Sequence, residues 1–232
     1  MNLAAFTPGS ALVTVVLIAL APFFAVMVTS FTKIAVVLSL VRNALGLQQV
    51  PPNIVLNGLA LILSVFVMYP TLDKMYAAAN VESPASAPTM PGEPSAQENP
   101  LQSTNDIFAT ADRAKEPLRE FLMKHSDPRE RVFFLRTQQR IGDPAQAQAL
   151  KESDFVIVIP AFVVKELKLA FQIGFLIFLP FLVIDMVISN ILLAMGMMML
   201  SPVTISLPFK ILLFVLVDGW VKLSHGLVLS YA

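Results

Sequence analysis

The chain contains no cysteine. Disulfides, thiolate metal sites and cysteine nucleophiles are therefore excluded, and the redox compartment is left open. Histidine is nearly as scarce. His125 and His225 have no second histidine at ligand spacing, so no metal is expected. Neither sign of charge is in excess, with 16 basic residues against 16 acidic, and nothing in that balance recruits nucleic acid. Charge itself is sparse: 14% of residues, where a soluble domain carries roughly a quarter. A His-Glu-x-x-His zinc site, a Gly-x-Ser-x-Gly elbow and a phosphate loop are all missing, and no inverted repeat relates the two ends of the chain. Neither an enzyme nor a cofactor is expected.

What the sequence has instead is apolar surface. Over 232 residues, 56% are hydrophobic and the mean hydropathy is +0.73, more than a soluble domain of this size can hide. The segment from Asp73 to Asp154 holds ten of the basic residues and thirteen of the acidic ones, leaving the rest close to pure membrane or core sequence. Two apolar runs, Ala11 to Val41 and Ile54 to Tyr69, precede this polar middle. Phe155 to Leu200 and Ile205 to Ala232 follow it. A helix needs about 20 apolar residues to cross about 30 Å of hydrocarbon. These runs have uneven lengths and are interrupted by Pro22, Pro180 and Pro208, a pattern better suited to helices wrapped by protein than to simple lipid-facing spans.

Local signals set the expected breaks. Ser10 is a candidate N-cap, Pro22 is expected to kink the first run near Ala21, and Gly46 sits where a helix ending near Leu45 needs a left-handed residue. Pro51-Pro52 forces a restart. Ser201-Pro202 is expected to close one helix, and Ser206-Leu207-Pro208 to open the last from about Leu207. Ala19-Leu20-Ala21 has the small-x-small form of a cleavage site, but no basic residue precedes the apolar stretch, and the segment is expected to be retained.

The expected class is all-α, with two apolar helical hairpins at residues 1–79 and 155–232 flanking a polar, partly helical insert at 80–154. Within the insert, 80–105 carries five prolines among Ser, Ala and Glu and reads as a flexible linker. From Asp106 the pattern becomes amphipathic, and Pro117 is a possible break. A second amphipathic stretch, Pro128 to Ile141, sets Val132, Phe133, Leu135 and Ile141 against Arg129, Arg131, Arg136 and Arg140. It reads first as a solvated helix packed on the membrane part, with a nucleic-acid or lipid-headgroup site as the alternative. Deleting Ser83 to Asn99 is expected to leave assembly intact, because loop length changes closure entropy only slowly. Native-gel migration with partner subunits checks this, and loss of the complex would identify a docking segment.

The isolated charges of the last hairpin need partners. A carboxylate such as Asp185 at a bilayer centre costs about 2.5 to 3.5 kcal/mol on insertion scales. With Ser201 to Ser206 as the turn, Asp185 comes level with Lys222, and Asp218 lies one turn before Lys222 on the same helix. A buried ion pair fixing the hairpin is the favoured reading, and an intramembrane proton relay or enzyme using Asp185, Asp218 and Lys222 the alternative. Glu166 and Lys210 also require neutralisation, within or between subunits. Lys33 and Arg42 are expected to snorkel from helix ends. Met195, Met197, Met198 and Met199 crowd one stretch around Gly196 and, by themselves, read as adaptable core filling.

Two blocks carry a resemblance. The first runs from Phe31 to Asn53 as FTKIAVVLSLVRNALGLQQVPPN, followed by Gly58 to Leu61. The second includes Pro160 to Phe162, Glu166-Leu167, Ala170 to Phe175, Leu179 to Met186, Met195 to Met199, Leu207 to Lys210 and Val217 to Trp220. In this order they resemble the FliP/SctR family of type III secretion membrane proteins, over roughly half the chain. Ile188 to Asn190 and Ser201 to Ser206 are more similar to the injectisome branch than to the flagellar one. The Pro-rich stretch from Asn80 to Pro100 departs from the family pattern, and no function is carried onto it.

The resemblance implies an α-helical subunit of a membrane-associated helical cone, present as a pentameric ring. Its implied partners are copies of itself, a FliQ/SctS-like and a FliR/SctT-like subunit, and the unfolded proteins that pass through the centre. The implied site is the bacterial inner membrane, with the complex projecting to the periplasmic side. It also implies that Met197, Met198 and Met199 belong to a gasket around the pore. A scaffold without a pore remains the other structural reading.

Overall fold

The computed structural model describes residues 15, 16, 19, 20, 22, 23, 26–80, 100–142, 149–197 and 199–232. Among them the chain is all helical. Its elements are α1 (Phe31–Ala44), α2 (Asn53–Asn80), α3 (Pro100–His125), α4 (Pro128–Ile141), α5 (Phe155–Ala194), α6 (Pro202–Leu216) and α7 (Gly219–Leu229). Two compact units result, one of 1–67 with 159–232 and the other of 68–158, and the division falls inside α2 and α5. The Ser10 cap and residues 81–99 of the expected linker lie outside the described residues, and the stretch around Pro22 is described only in part. Residues 100–105, expected as linker, belong to α3.

In the first unit α1 is the central helix. Ile34, Val37, Leu38 and Val41 repeat at helical spacing and are fully buried, against Leu56 and Ala60 of α2, Ala170 and Phe181 of α5, Phe214 of α6 and Leu227 of α7. Its end follows from Gly46. That residue takes φ +80, its N–H bonds to the Asn43 carbonyl at 3.0 Å, and the Leu47 N–H reaches the Arg42 carbonyl at 3.2 Å. This paired closure satisfies carbonyls that the helix end leaves open, and glycine adopts it without steric penalty. Arg42 then spans the connection to α2 by donating to the Pro51 carbonyl at 3.4 Å and to Asn53 Oδ1.

The prolines act differently from the sequence expectation. Pro117 does not divide α3, which runs through it. One ion pair precedes it, Asp112 with Lys115 at 2.5 Å, and a second spans it, Glu116 with Arg119 at 2.6 Å. Ser201-Pro202 does not merely close the preceding helix. Pro202 is the first residue of α6, where a missing N–H costs nothing, and Pro208 lies inside the helix. α5 has already ended at Ala194.

Among the described residues two helices are long and apolar enough to cross a membrane, α2 and α5, and α6 with α7 makes a third candidate bent by 59°. α5 has 40 residues, about 60 Å of helix and about twice the hydrocarbon thickness. Only 11% of its most apolar window is buried within the chain. So much uncovered apolar surface calls for lipid or protein neighbours.

Gly174 lets α5 approach α1 closely. A Cβ there would lie 2.3 Å from Leu40 Cδ1 and 3.1 Å from its Cβ. Gly174→Ala is therefore expected to cost about 1–3 kcal/mol by overpacking, and Leu40→Ala added to it should recover part of the loss. Thermal unfolding in detergent checks the pair. An unchanged midpoint for Gly174→Ala would show that the helices do not meet there.

Candidate functional site

Four features of the first unit hold the residues singled out by sequence. At the C-terminal end of α1, Lys210 of α6 donates to Asp185 Oδ2 of α5 at 2.7 Å and to the Ala44 carbonyl at 3.3 Å. Ser206 Oγ donates to Asp185 Oδ1 at 2.5 Å. The Lys210 side chain is 3% exposed and that of Asp185 28%, so the ammonium is out of solvent while the carboxylate keeps one side open. Three helices are tied at one point. The pair differs from the expected Asp185–Lys222 pairing for a geometric reason. The return loop runs from Met195 to Ser201, earlier than the expected turn, so Asp185 and Lys210 lie about equally far from it.

Asp218 and Lys222 are displaced from that alignment by a break in the last helical pair. Asp218 adopts φ 53 between α6 and α7, a left-handed conformation uncommon outside glycine. The adjoining Gly219 has no room for a Cβ, which would fall 2.3 Å from the Phe214 ring. Both charged residues are exposed, and neither forms an ion pair among the described residues. Lys222 instead borders an apolar cavity of about 610 Å³ that includes Ile177, Phe181, Phe214 and Leu223. The proposed relay of Asp185, Asp218 and Lys222 is not assembled here.

Glu166 meets a different set. Lys33 Nζ lies 3.5 Å from Glu166 Oε2, with side-chain exposures of 2% and 1%. Tyr231 donates its hydroxyl to the same oxygen. The Lys33 ammonium also sits 3.5 Å from the centroid of the Tyr231 ring, a cation–π geometry. Lys33 therefore does not snorkel. It lies on the inward face of α1 with Ile34 and Val37, where only an internal carboxylate can balance it. Sequence reasoning missed this pairing and the role of Tyr231. The signal was the scarcity of charge: few anions stand outside the insert, so each buried cation had a short list of partners. Ser30 and Ser64, both buried, add a hydrogen bond of 3.1 Å between the start of α1 and α2.

The methionines occupy the loop after α5. Gly196 takes φ +74, its N–H bonding to the Leu193 carbonyl at 3.0 Å while Met197 N–H reaches the Leu192 carbonyl at 2.9 Å. The closure repeats that of α1 and ends α5. Met195 and Met199 are exposed, Met197 is half-buried, and Met198 lies outside the described residues. No group of residues able to hold a metal ion occurs among the described residues.

Comparison with known proteins bears on the whole of this arrangement. The FliP family model matches residues 13–227, which spans α1 to α7 apart from the last residues of α7. The chain belongs to the FliP family. Among its relatives is the hypersensitivity response secretion protein HrcR of Ralstonia nicotianae, 47% identical over 96% of this chain and 97% of the relative. The Yop proteins translocation protein R of Yersinia pestis is 49% identical over 93% and 92%. The flagellar biosynthetic protein FliP of Bacillus subtilis is 43% identical over 91% and 86%. Proteins of the FliP family are structural parts of secretion apparatus, not enzymes. This agrees with charges committed to ion pairs that bind helices together.

Proposed function

We propose that this FliP-family chain is a pore-forming core subunit of a type III secretion export gate, of the injectisome branch, which passes unfolded proteins across the bacterial inner membrane. The observation that carries the proposal is the contrast within the first unit. Its buried charges are neutralised internally, while most of its long apolar helices and the methionine loop face outward. A subunit whose buried charges are paired and whose apolar surface is left uncovered is suited to assembly. The partners are further copies in a ring, taken as pentameric, and the FliQ/SctS-like and FliR/SctT-like subunits, with the complex projecting to the periplasmic side.

Met197, Met198 and Met199 serve as the gasket of that ring. Unbranched thioether side chains form a soft constriction that closes against ions yet deforms around many passing side chains. Asp185, Lys210, Glu166 and Lys33 hold the hairpins that carry the loop, while Asp218 and Lys222 face neighbours.

Particle imaging of the complex purified with its partner subunits tests the reading. Rotational symmetry about an axial channel, narrowed where the methionine loops converge, is the expected result. A solid assembly with no channel would leave a scaffold and remove the pore.

A further inference from the structure

The second unit carries two helical faces of opposite charge that the proposed pore leaves unused. On α4 the exposed residues Arg129, Phe133, Arg136 and Arg140 recur at i, i+4, i+7 and i+11, which places them on one stripe at 100° per residue. Arg131 points elsewhere, bonding to Ser126 Oγ at 2.7 Å and approaching Glu152 at 3.9 Å. The three exposed arginines form no ion pair among the described residues. Arg136 and Arg140 stand one turn apart and repel each other until an anion meets them. Between the arginines Phe133 is 58% exposed.

On α3 the exposed residues among those described are three carboxylates and, one turn beyond the last of them, Lys124. Asp112, Glu116 and Glu120 recur at i, i+4 and i+8. The first two have partners on their own helix, Lys115 and Arg119, in solvent-exposed pairs, and such pairs are weak enough to exchange. Glu120 has no ion pair among the described residues. Beside these carboxylates lies a groove of about 430 Å³, lined by Glu116 and Glu120 with Ala78, Pro117 and Met123, and by Arg113 and Arg119.

We propose that the α4 face of one copy docks on the α3 face of the next, with Phe133 entering the groove and Arg136 and Arg140 meeting Glu116 and Glu120. The charged residues of each pair are one helical turn apart, about 6 Å along the axis, so the two rows match in spacing. Different faces meet, which makes the contact heterologous and lets it repeat from copy to copy until a ring closes. An anionic lipid surface would also attract the arginines, but it would repel the acidic row and leave the groove unfilled. A second copy accounts for both faces. This inference rests on the ring reading above and adds the insert as the element that fixes the order of subunits.

The absence of native cysteine allows a direct test in the full-length chain. Phe133→Cys and Glu120→Cys are introduced into separately tagged chains, co-expressed and oxidised in detergent. A cross-linked dimer carrying both tags, absent when either variant is expressed alone, is the expected result. A dimer from Phe133→Cys alone would mean a symmetric contact and overturn the proposal, as would an intact ring that yields no mixed dimer. Charge reversal supplies an independent reading. Arg136→Glu with Arg140→Glu should abolish the ring species while helix content by circular dichroism is retained, and adding Glu116→Arg with Glu120→Arg should restore it. If the doubly reversed chain assembles like the parent, the arginines face lipid or solvent and the docking is wrong. A parent chain that forms no ring at all would instead overturn the export-gate reading, and this contact with it.

Discussion

Replacing Lys33 with methionine is expected to lower the stability of the folded chain by about 3–5 kcal/mol, the cost of leaving a buried charge without its partner. Glu166 is 1% exposed and keeps only the Tyr231 hydroxyl when Lys33 is gone. Methionine fills much of the lysine volume, so the loss is electrostatic more than steric, with a smaller part from the ammonium over the Tyr231 ring. That cost is a large fraction of the stability of a typical domain. Lys33→Met should therefore reduce the amount of protein recovered in detergent and lower its unfolding midpoint. Combining it with Glu166→Gln removes the orphaned charge and retains an acceptor for Tyr231, so most of the loss should return, as neutral replacement of buried ion pairs often permits. Thermal unfolding of the single and double variants gives the coupling. If Lys33→Met melts with the parent, Glu166 does not depend on Lys33.

The same pair shows where sequence was informative and where it was not. Helical class, the apolar hairpins and the stop at Gly46 were legible because they rest on local chemistry: period, length, and a glycine where φ must be positive. The need of Asp185, Glu166 and Lys210 for partners was legible too, since a charge buried among apolar groups is costly unless it is paired. The choice of partner was not. Pairing across a hairpin depends on where the loop closes, and the turn at Met195 to Ser201 moved the register so that Asp185 faces Lys210 rather than Lys222. Lys33–Glu166 joins α1 to α5 across the length of the insert, a separation no local rule can bridge. Pro202 illustrates a different ambiguity: one proline after one serine is equally a helix stop and a helix start, and only the earlier end of α5 decides between them.

Replacing Met197, Met198 and Met199 together with alanine is expected to open an ion leak through the assembled complex without preventing assembly. The turn at Gly196 is closed by its own N–H on the Leu193 carbonyl and by Met197 N–H on the Leu192 carbonyl, and those bonds do not involve the methionine side chains. Met199 makes no buried contact within the chain, being fully exposed. Its truncation therefore removes little from the stability of the subunit. In the proposed ring the loss would be multiplied, because every copy would withdraw three long side chains from one constriction. The passage widens, the barrier to hydrated ions falls, and conductance across the inner membrane should rise well above that of the parent complex. Secretion persists, since a wider passage still admits an unfolded chain. Two measurements separate the possibilities: the quantity of complex on a native gel, and conductance in bilayers or ion sensitivity of the cells. A triple variant that assembles normally and stays as tight to ions as the parent would remove the gasket from this loop. One that fails to assemble would place the methionines in a packed contact between subunits, where their flexibility fills gaps and does not seal a pore.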